Sequence, residues 1–119
     1  MTRDEILNMP AGREMDYLVA EMVMKIRPRI ASTEYIGKEV VGRKYDAVIN
    51  HEIIELPFYS TDISAAWEVI LEMRENGFGC DMDVSSKGWG CRFGVGGEIV
   101  TAESMPLAIC RAALLPAGQ

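Results

Sequence analysis

The sequence predicts an α+β fold in which helices pack in layers on a mostly antiparallel β-sheet. Two segments, starting near Arg13 and Ile63, place apolar residues at the three- and four-residue steps of a helix. Residues 78–102 instead alternate apolar and polar side chains between glycine-containing turns, as hairpin strands do. Blocks of helices and strands in this order favour an α+β domain. A chain of 119 residues with 49% hydrophobic composition suits a single domain over residues 1–119.

The N-terminal part of the chain is predicted to be helical. Thr2 followed by Glu5 matches a capping box, which indicates a short first turn of helix. A longer helix is predicted from Arg13, because an apolar stripe continues on one face as far as Ile26. We expect this helix to end before Pro28, since the residue preceding a proline is pushed out of helical geometry.

The next segment, from about residue 31 to residue 56, predicts short strands. The candidates are residues 40–41 and 47–49, separated by Gly42, and residues 52–56. A second helix is predicted after the capping side chains around Asp62, and Gly77 suits the left-handed position beyond its end. Its apolar stripe contains Ile63, Ala66, Trp67, Ile70 and Met73.

A three-stranded antiparallel meander is predicted to follow. Its first strand places four apolar side chains on one face, namely Phe78, Cys80, Met82 and Val84. A turn at residues 85–88 leads to a second alternating strand over residues 89–95. A pair of glycines at 96 and 97 then turns the chain into a third strand over residues 98–102. We expect a sheet with one apolar face.

The last element predicted is a buried helix over residues 107–115. Ser104 can cap it, and Pro106 is tolerated in a first turn. The segment is apolar nearly all round, which is typical of a helix buried on more than one side. Arg111 is its one charge, and an unpaired buried charge is very costly. We therefore expect Arg111 to pair with a carboxylate, to donate to backbone carbonyls, or to bind an anionic ligand.

Charge and composition argue against several kinds of partner. A net charge of −6 and a pI near 4.8 do not suit non-specific DNA binding, which needs a basic face. The charged start of the sequence lacks the apolar stretch of a signal peptide. The longest apolar runs are far shorter than the ~20 residues of a membrane span. We expect a cytosolic protein that contacts neither DNA nor a membrane.

No set of residues predicts a catalytic or metal site. The three cysteines, Cys80, Cys91 and Cys110, lie among apolar neighbours, and their odd number without a secretory signal indicates reduced thiols. Neither they nor His51 show the closely spaced ligand pairs of a zinc site. The sequence contains no Gly-x-Ser-x-Gly nucleophile elbow that could pair with His51 in a catalytic triad. The prediction is a protein that is not an enzyme and holds no cofactor or metal.

Two acidic residues leave one catalytic alternative open. Asp81 and Asp83 lie two apart on a predicted strand, so their side chains share a face about 7 Å apart. That spacing suits a divalent metal or acid–base chemistry. A solvated strand face beside a turn is the more frequent explanation for such a pair.

Single arginines are the candidate ligand contacts. Arg92 stands between two glycines on a strand face without bulk, where a flat ligand or another backbone can approach. Arg27 and Arg29 bracket a proline at a predicted helix end, and Arg111 lies in the apolar helix. Guanidinium groups suit phosphates, although structural ion pairs are their more frequent role. Three aromatic residues at element ends could stack on a base, namely Tyr59, Phe78 and Trp89.

Four stretches of the sequence resemble one family. They are MTRDEIL at 1–7, GREMDYLVAE at 12–21, YSTDISAAWEV at 59–69 and PLAICRAALL at 106–115. In this order they are similar to the phage ABA sandwich domain, a family of small bacteriophage and prophage proteins. The resemblance implies a helix–sheet–helix layered fold and expression in the cytoplasm of an infected bacterium. It implies no agreed activity, so it transfers no site residue.

The resemblance also favours a role against host defence, because small non-enzymatic phage accessory proteins often serve there. We therefore expect a protein that sequesters a cyclic oligonucleotide or a cyclic ADP-ribose without altering it. Arg111 and Arg92, helped by Arg27 or Arg29, are predicted to hold phosphates, and Tyr59, Phe78 or Trp89 to stack on the base. Since such pockets often form between subunits, we also expect a homo-oligomer.

Two alternatives from other classes remain open. One is a protein–protein inhibitor of a host defence complex, similar to an anti-CRISPR, whose acidic surface mimics a nucleic acid. The other is a metal-dependent enzyme that cleaves a nucleotide with Asp81 and Asp83.

Overall fold

The computed structural model describes residues 1–118, with side chains through Pro116. Its helices are α1 (Arg3–Asn8), α2 (Arg13–Met22), α3 (Ile63–Glu75) and α4 (Met105–Gly118). Its strands are β1 (Arg27–Ile36), β2 (Glu39–Ile49), β3 (Glu52–Glu55), β4 (Cys80–Ser85), β5 (Gly88–Phe93) and β6 (Val100–Ala102). They form two antiparallel sheets, β1-β2-β3 and β4-β5-β6, so the predicted α+β class is confirmed.

The C-terminal helix α4 is the centre of the core. It contacts α1, α2, α3, β5 and β6, which explains why its sequence is apolar nearly all round. Six of its side chains have no exposed surface: Leu107, Ala108, Ile109, Cys110, Ala113 and Leu114. The predicted buried helix is therefore confirmed, and α4 extends slightly beyond it at both ends.

Local capping signals correctly predicted the start of α1 and both ends of α3. Thr2 and Glu5 form the predicted capping box at α1. At the start of α3 the Ser64 amide donates to the Asp62 carboxylate at 3.0 Å, and beyond its end Gly77 takes a φ of 90°. These ends were predictable because the groups that satisfy them are near in sequence.

The predicted length of the helix starting at Arg13 is wrong. Helix α2 ends at Met22, and Lys25 adopts a left-handed φ of 57° that turns the chain out of the helix. Pro28 is a buried residue inside β1, paired with Ala47. A proline is tolerated there because β1 is an edge strand, where an amide hydrogen is not required on the outer side.

The strands predicted between residues 31 and 56 are only partly correct. Residues 40–41 and 47–49 belong to one long strand, β2, whose register shifts near Gly42. The strand predicted at 52–56 is β3, which ends one residue earlier. Strand β1 was not predicted at all.

Strands β1 and β2 extend beyond the rest of the protein as a hairpin. We call its outer part, residues 31–44, the arm; none of these residues is buried. The radius of gyration is 14.7 Å, whereas a compact domain of this length has a value of roughly 13.5 Å. The arm accounts for an elongated molecule with principal extents of 47 × 33 × 25 Å.

The predicted meander is confirmed as β4-β5-β6, although β6 is shorter than expected. Its inner apolar face is covered at one end only. Cys91 and Phe93 are buried there, whereas Met82, Val84 and Trp89 are 47%, 64% and 41% exposed at the other end.

Candidate functional site

A pocket of about 370 Å³ opens at the end of the second sheet. We call it the glycine-loop pocket, because the loop from Gly94 to Glu98 forms one wall. The remaining walls come from α1, the residue pair before β4, the end of β5 and the last turns of α4. They include Arg3, Phe78, Phe93, Ala112 and Leu115. Its volume lies within the range of about 300–1,000 Å³ that is usual for small-molecule sites.

The glycines of this wall have two separate structural roles. Gly94 and Gly96 adopt positive φ values of 83° and 81°, which favour glycine. Gly97 is required by space, because a β-carbon there would lie 2.3 Å from the carbonyl oxygen of Phe93. The three glycines therefore bring bare backbone to the pocket, and at Gly97 no side chain would fit.

One arginine–carboxylate pair lines the pocket, and a second lies beside its glycine loop. Arg3 lines it and forms an ion pair with Glu98, with Nε donating to Oε2 at 2.9 Å. This hydrogen bond raises the pKa of Arg3 and lowers the pKa of Glu98. Arg92 donates to Asp81, and its Cγ would lie 3.3 Å from a β-carbon at Gly97. Both guanidinium groups are partly exposed, so an anion can reach them.

Arg111 takes one of the three roles considered for it. Its Nη2 and Nε donate to the carbonyl oxygen of Met9 at 2.9 and 3.3 Å. Met9 is the residue that caps the C-terminal end of α1. Arg111 therefore fastens α1, which carries Arg3, to the central helix instead of lining the pocket.

The other two arginines singled out in the sequence lie on the first sheet. Arg29 donates to both carboxylate oxygens of Asp46, at 2.8 and 2.9 Å, and lowers the pKa of that carboxyl group. Arg27 is exposed on the same strand. Neither lines the glycine-loop pocket.

The three aromatic candidates are not brought together. Phe78 lines the glycine-loop pocket. Trp89 lies in a second depression of about 590 Å³, the tryptophan groove, lined by Ile63, Trp67, Met82, Trp89, Glu103, Ser104, Met105 and Pro106. Tyr59 is 3% exposed and its ring belongs to the core.

Burial of Tyr59 predicts a loss of stability in alkali. Desolvation raises the pKa of its phenol from 10.0 to about 12. The folded protein holds the phenolic proton more tightly than the unfolded chain does. The protonated phenol therefore adds to the free energy of unfolding, fully below pH 10, and this stabilisation is lost as the pH rises to about 12. At ~1.36 kcal/mol per pKa unit, the unfolding free energy should fall by about 2–3 kcal/mol over this range.

Urea unfolding at several pH values measures this loss, and Tyr59→Phe should remove it. The buried thiols of Cys91 and Cys110 also have raised pKa values, so they weaken both proteins in alkali. The difference between wild type and Tyr59→Phe isolates the phenol, with the exposed Tyr35→Phe as control. Equal alkaline losses in all three proteins would contradict the prediction.

The acidic pair of the metal alternative lies at an exposed position on β4. Asp81 is already paired with Arg92, and Asp83 lies opposite Gly90. Among the described residues, no three His, Cys, Asp or Glu side chains are grouped so that they could hold a metal ion. None of the helices in the described part of the chain has the length and apolar character needed to cross a bilayer.

Sequence reasoning missed Arg3 and Glu98, which meet across 95 positions. It also missed a buried polar cluster. The carboxylate of Asp16 is fully buried and accepts from the Ser60 amide at 2.8 Å, the Ser60 hydroxyl at 2.7 Å and Arg13 at 2.8 Å. The Arg13 guanidinium also lies 3.8 Å from the centre of the Phe58 ring. Every buried polar side-chain atom among the described residues has a partner, so this cluster is structural.

These features define a small helix-and-sheet sandwich protein with a mainly apolar pocket, lined by one arginine–glutamate pair, at the end of one sheet. Residues 17–114 match the family model of the phage ABA sandwich domain. The chain belongs to that family, as its sequence had suggested, and the match extends through the first sheet.

A solved structure has the same fold. It is a crystal structure of a phage protein from Bacillus cereus ATCC 14579, with a TM-score of 0.62 and 20% sequence identity. The similarity covers 90% of this chain and 92% of that one. No curated protein matches the sequence.

Proposed function

We propose that this protein binds and sequesters a nucleotide-derived immune signal, of the cyclic oligonucleotide or cyclic ADP-ribose type, without altering it. The observation that carries the proposal is the make-up of the glycine-loop pocket. One guanidinium, Arg3, and one aromatic ring, Phe78, face the same space beside bare glycine backbone. The guanidinium can bind a phosphate, the aromatic ring can stack on a base, and the glycine backbone lets the rest of the ligand approach closely.

Two ion pairs, one lining the pocket and one beside its glycine loop, suggest how a phosphate is bound. In the free protein the guanidinium groups of Arg3 and Arg92 are held in position by Glu98 and Asp81. A phosphate offers the same fork of oxygen acceptors, so it can take the place of a carboxylate without moving the arginine far. Arg111 contributes indirectly, because its bonds to Met9 keep α1 and Arg3 against α4.

Thermal melting against a panel of cyclic oligonucleotides and cyclic ADP-ribose isomers tests the proposal. A ligand that binds only the folded state adds about 2.7 kcal/mol of stability at a hundredfold excess over its Kd, a shift of several degrees. Chromatography of the released ligand should recover it unchanged. Degraded ligand would instead point to an enzyme.

Three variants locate the site. Arg3→Ala and Arg92→Ala should each weaken binding by about 10- to 100-fold, since a hydrogen bond to a charged group contributes about 1.5–3 kcal/mol. Arg29→Ala is the matched control, because it removes a similar exposed ion pair on the first sheet, where neither partner lines the pocket or belongs to its glycine loop. Equal losses in all three variants, or no shift with any ligand, would contradict the proposal.

A protein–protein inhibitor is the second candidate, and the charge distribution favours it. Residues 25–49 contain six Lys or Arg and three Asp or Glu, a net charge of +3, which leaves −9 on the rest of the chain. A strongly acidic body suits a basic, nucleic-acid-binding target. This function predicts a stable stoichiometric complex with a host defence protein, weakened by salt, and no stabilisation by any nucleotide in the panel.

A further inference from the structure

The tip of the arm exposes apolar side chains with nothing to cover them. Tyr35, Ile36, Val40 and Val41 are 62%, 71%, 47% and 51% exposed. An isolated two-stranded hairpin is only marginally stable in water, and contiguous exposed apolar surface usually marks a contact site. The arm therefore needs a partner surface outside its own two strands.

The tryptophan groove is a second exposed apolar surface. It lies between the first turns of α3 and the inner face of β4 and β5, and its Ile63, Trp67, Met82 and Trp89 side chains are between 41% and 51% exposed. Tryptophan and methionine are enriched at contact sites because they bury a large area and adapt to their partner.

The two surfaces also carry opposite charge. Lys38 lies in the turn of the arm, and Arg43 and Lys44 lie along β2. Glu103 lines the tryptophan groove, and Glu68 lies beside Trp67 in the adjoining depression. The arm itself, residues 31–44, also contains Glu34 and Glu39, so its net charge is +1, whereas the chain outside residues 25–49 has a net charge of −9. Attraction between surfaces of opposite charge favours a contact between an arm and a groove over a contact between two arms.

We propose that the occupant of the tryptophan groove is the arm tip of a second copy of this chain. In a two-fold dimer the arm tip of each copy lies in the tryptophan groove of the other. The dimer therefore contains two identical arm–groove contacts, which cover both arm tips and both grooves. This inference rests on the arm and the groove alone and is independent of the proposed nucleotide site.

Two surface variants, one on each side of the contact, test the inference. Ile36→Glu puts an acid on the arm tip that faces an acidic groove, and Trp67→Lys puts a base in the groove that faces a basic arm. Both side chains are exposed, 71% and 48%, so the variants should fold. Sedimentation velocity should show dimers of wild type at micromolar concentration and at least tenfold weaker association of each variant.

Ile53→Glu is the matched control, because Ile53 is 63% exposed but lies on β3, away from both surfaces. It should associate like wild type. An equal mixture of Ile36→Glu and Trp67→Lys should form mixed dimers, because one intact arm still meets one intact groove. If the dimer were instead formed by two arms or by two grooves, mixing the two variants would not restore association.

The tryptophans provide a second readout, since the chain has only two and both line the groove. On dilution the emission of wild type should shift to longer wavelength with the same midpoint as the loss of mass. A wild type that is monomeric at every concentration overturns the inference. So does a mixture of the two variants that fails to associate.

Discussion

Replacing Asp16 by alanine is expected to lower the unfolding free energy by about 3–5 kcal/mol, the usual result of removing one partner from a buried charge pair. The Asp16 carboxylate is fully buried and joins α2 to the segment before α3 through Ser60. Without it, the Ser60 amide and hydroxyl lose their acceptor. Arg13 loses its counter-ion while its bonds to the carbonyls of Leu56 and Pro57 hold it in place.

Urea unfolding of Asp16→Ala measures this loss, and Asp81→Ala is its control. Asp81 also pairs with an arginine, but its side chain is 69% exposed, so its removal should cost about 0–1 kcal/mol. If both variants lost the same small amount, the cluster around Asp16 would not be a main contributor to stability.

The second large effect is expected at the central helix. Ile109→Ala removes a side chain with no exposed surface from the middle of α4. Such substitutions cost about 2–5 kcal/mol, because the lost burial is added to the cost of the cavity left behind. The helix is enclosed by three other helices and two strands, so few neighbours can move to fill that cavity.

The same substitution at the arm tip supplies the comparison. Ile36→Ala changes a side chain that is 71% exposed, and its effect on unfolding measured at low protein concentration should stay within about 0.5 kcal/mol. Comparable losses at both positions would mean that the arm is part of the cooperative core.

The helices and the second sheet could be predicted because their signals are local. A capping box at α1, a carboxylate cap at α3 and strict alternation in β4 and β5 are all readable within a few residues. The arm was misjudged for a physical reason. Alternation predicts a strand only when one face is buried, and no residue between 31 and 44 is buried.

The site was less predictable than the fold. Phe78 and Arg92 were identified, because an aromatic residue at an element end and an arginine between glycines are visible in the sequence. The pairing of Arg3 with Glu98 spans nearly the whole chain, and no local pattern indicates it. For Arg111 the cost of burial showed that a partner must exist, but only the fold shows that this partner is the Met9 carbonyl.

The unburied arm has a consequence for how this family changes over evolutionary time. Mutations in α4 must preserve packing on every side, whereas mutations in residues 31–44 disturb no core contact. The four stretches that first indicated the family lie in α1, α2, α3 and α4 and their immediate flanks, and none lies in the arm. Relatives should therefore share an interior and diverge at the hairpin, which lets each lineage acquire its own contacts without refolding the domain.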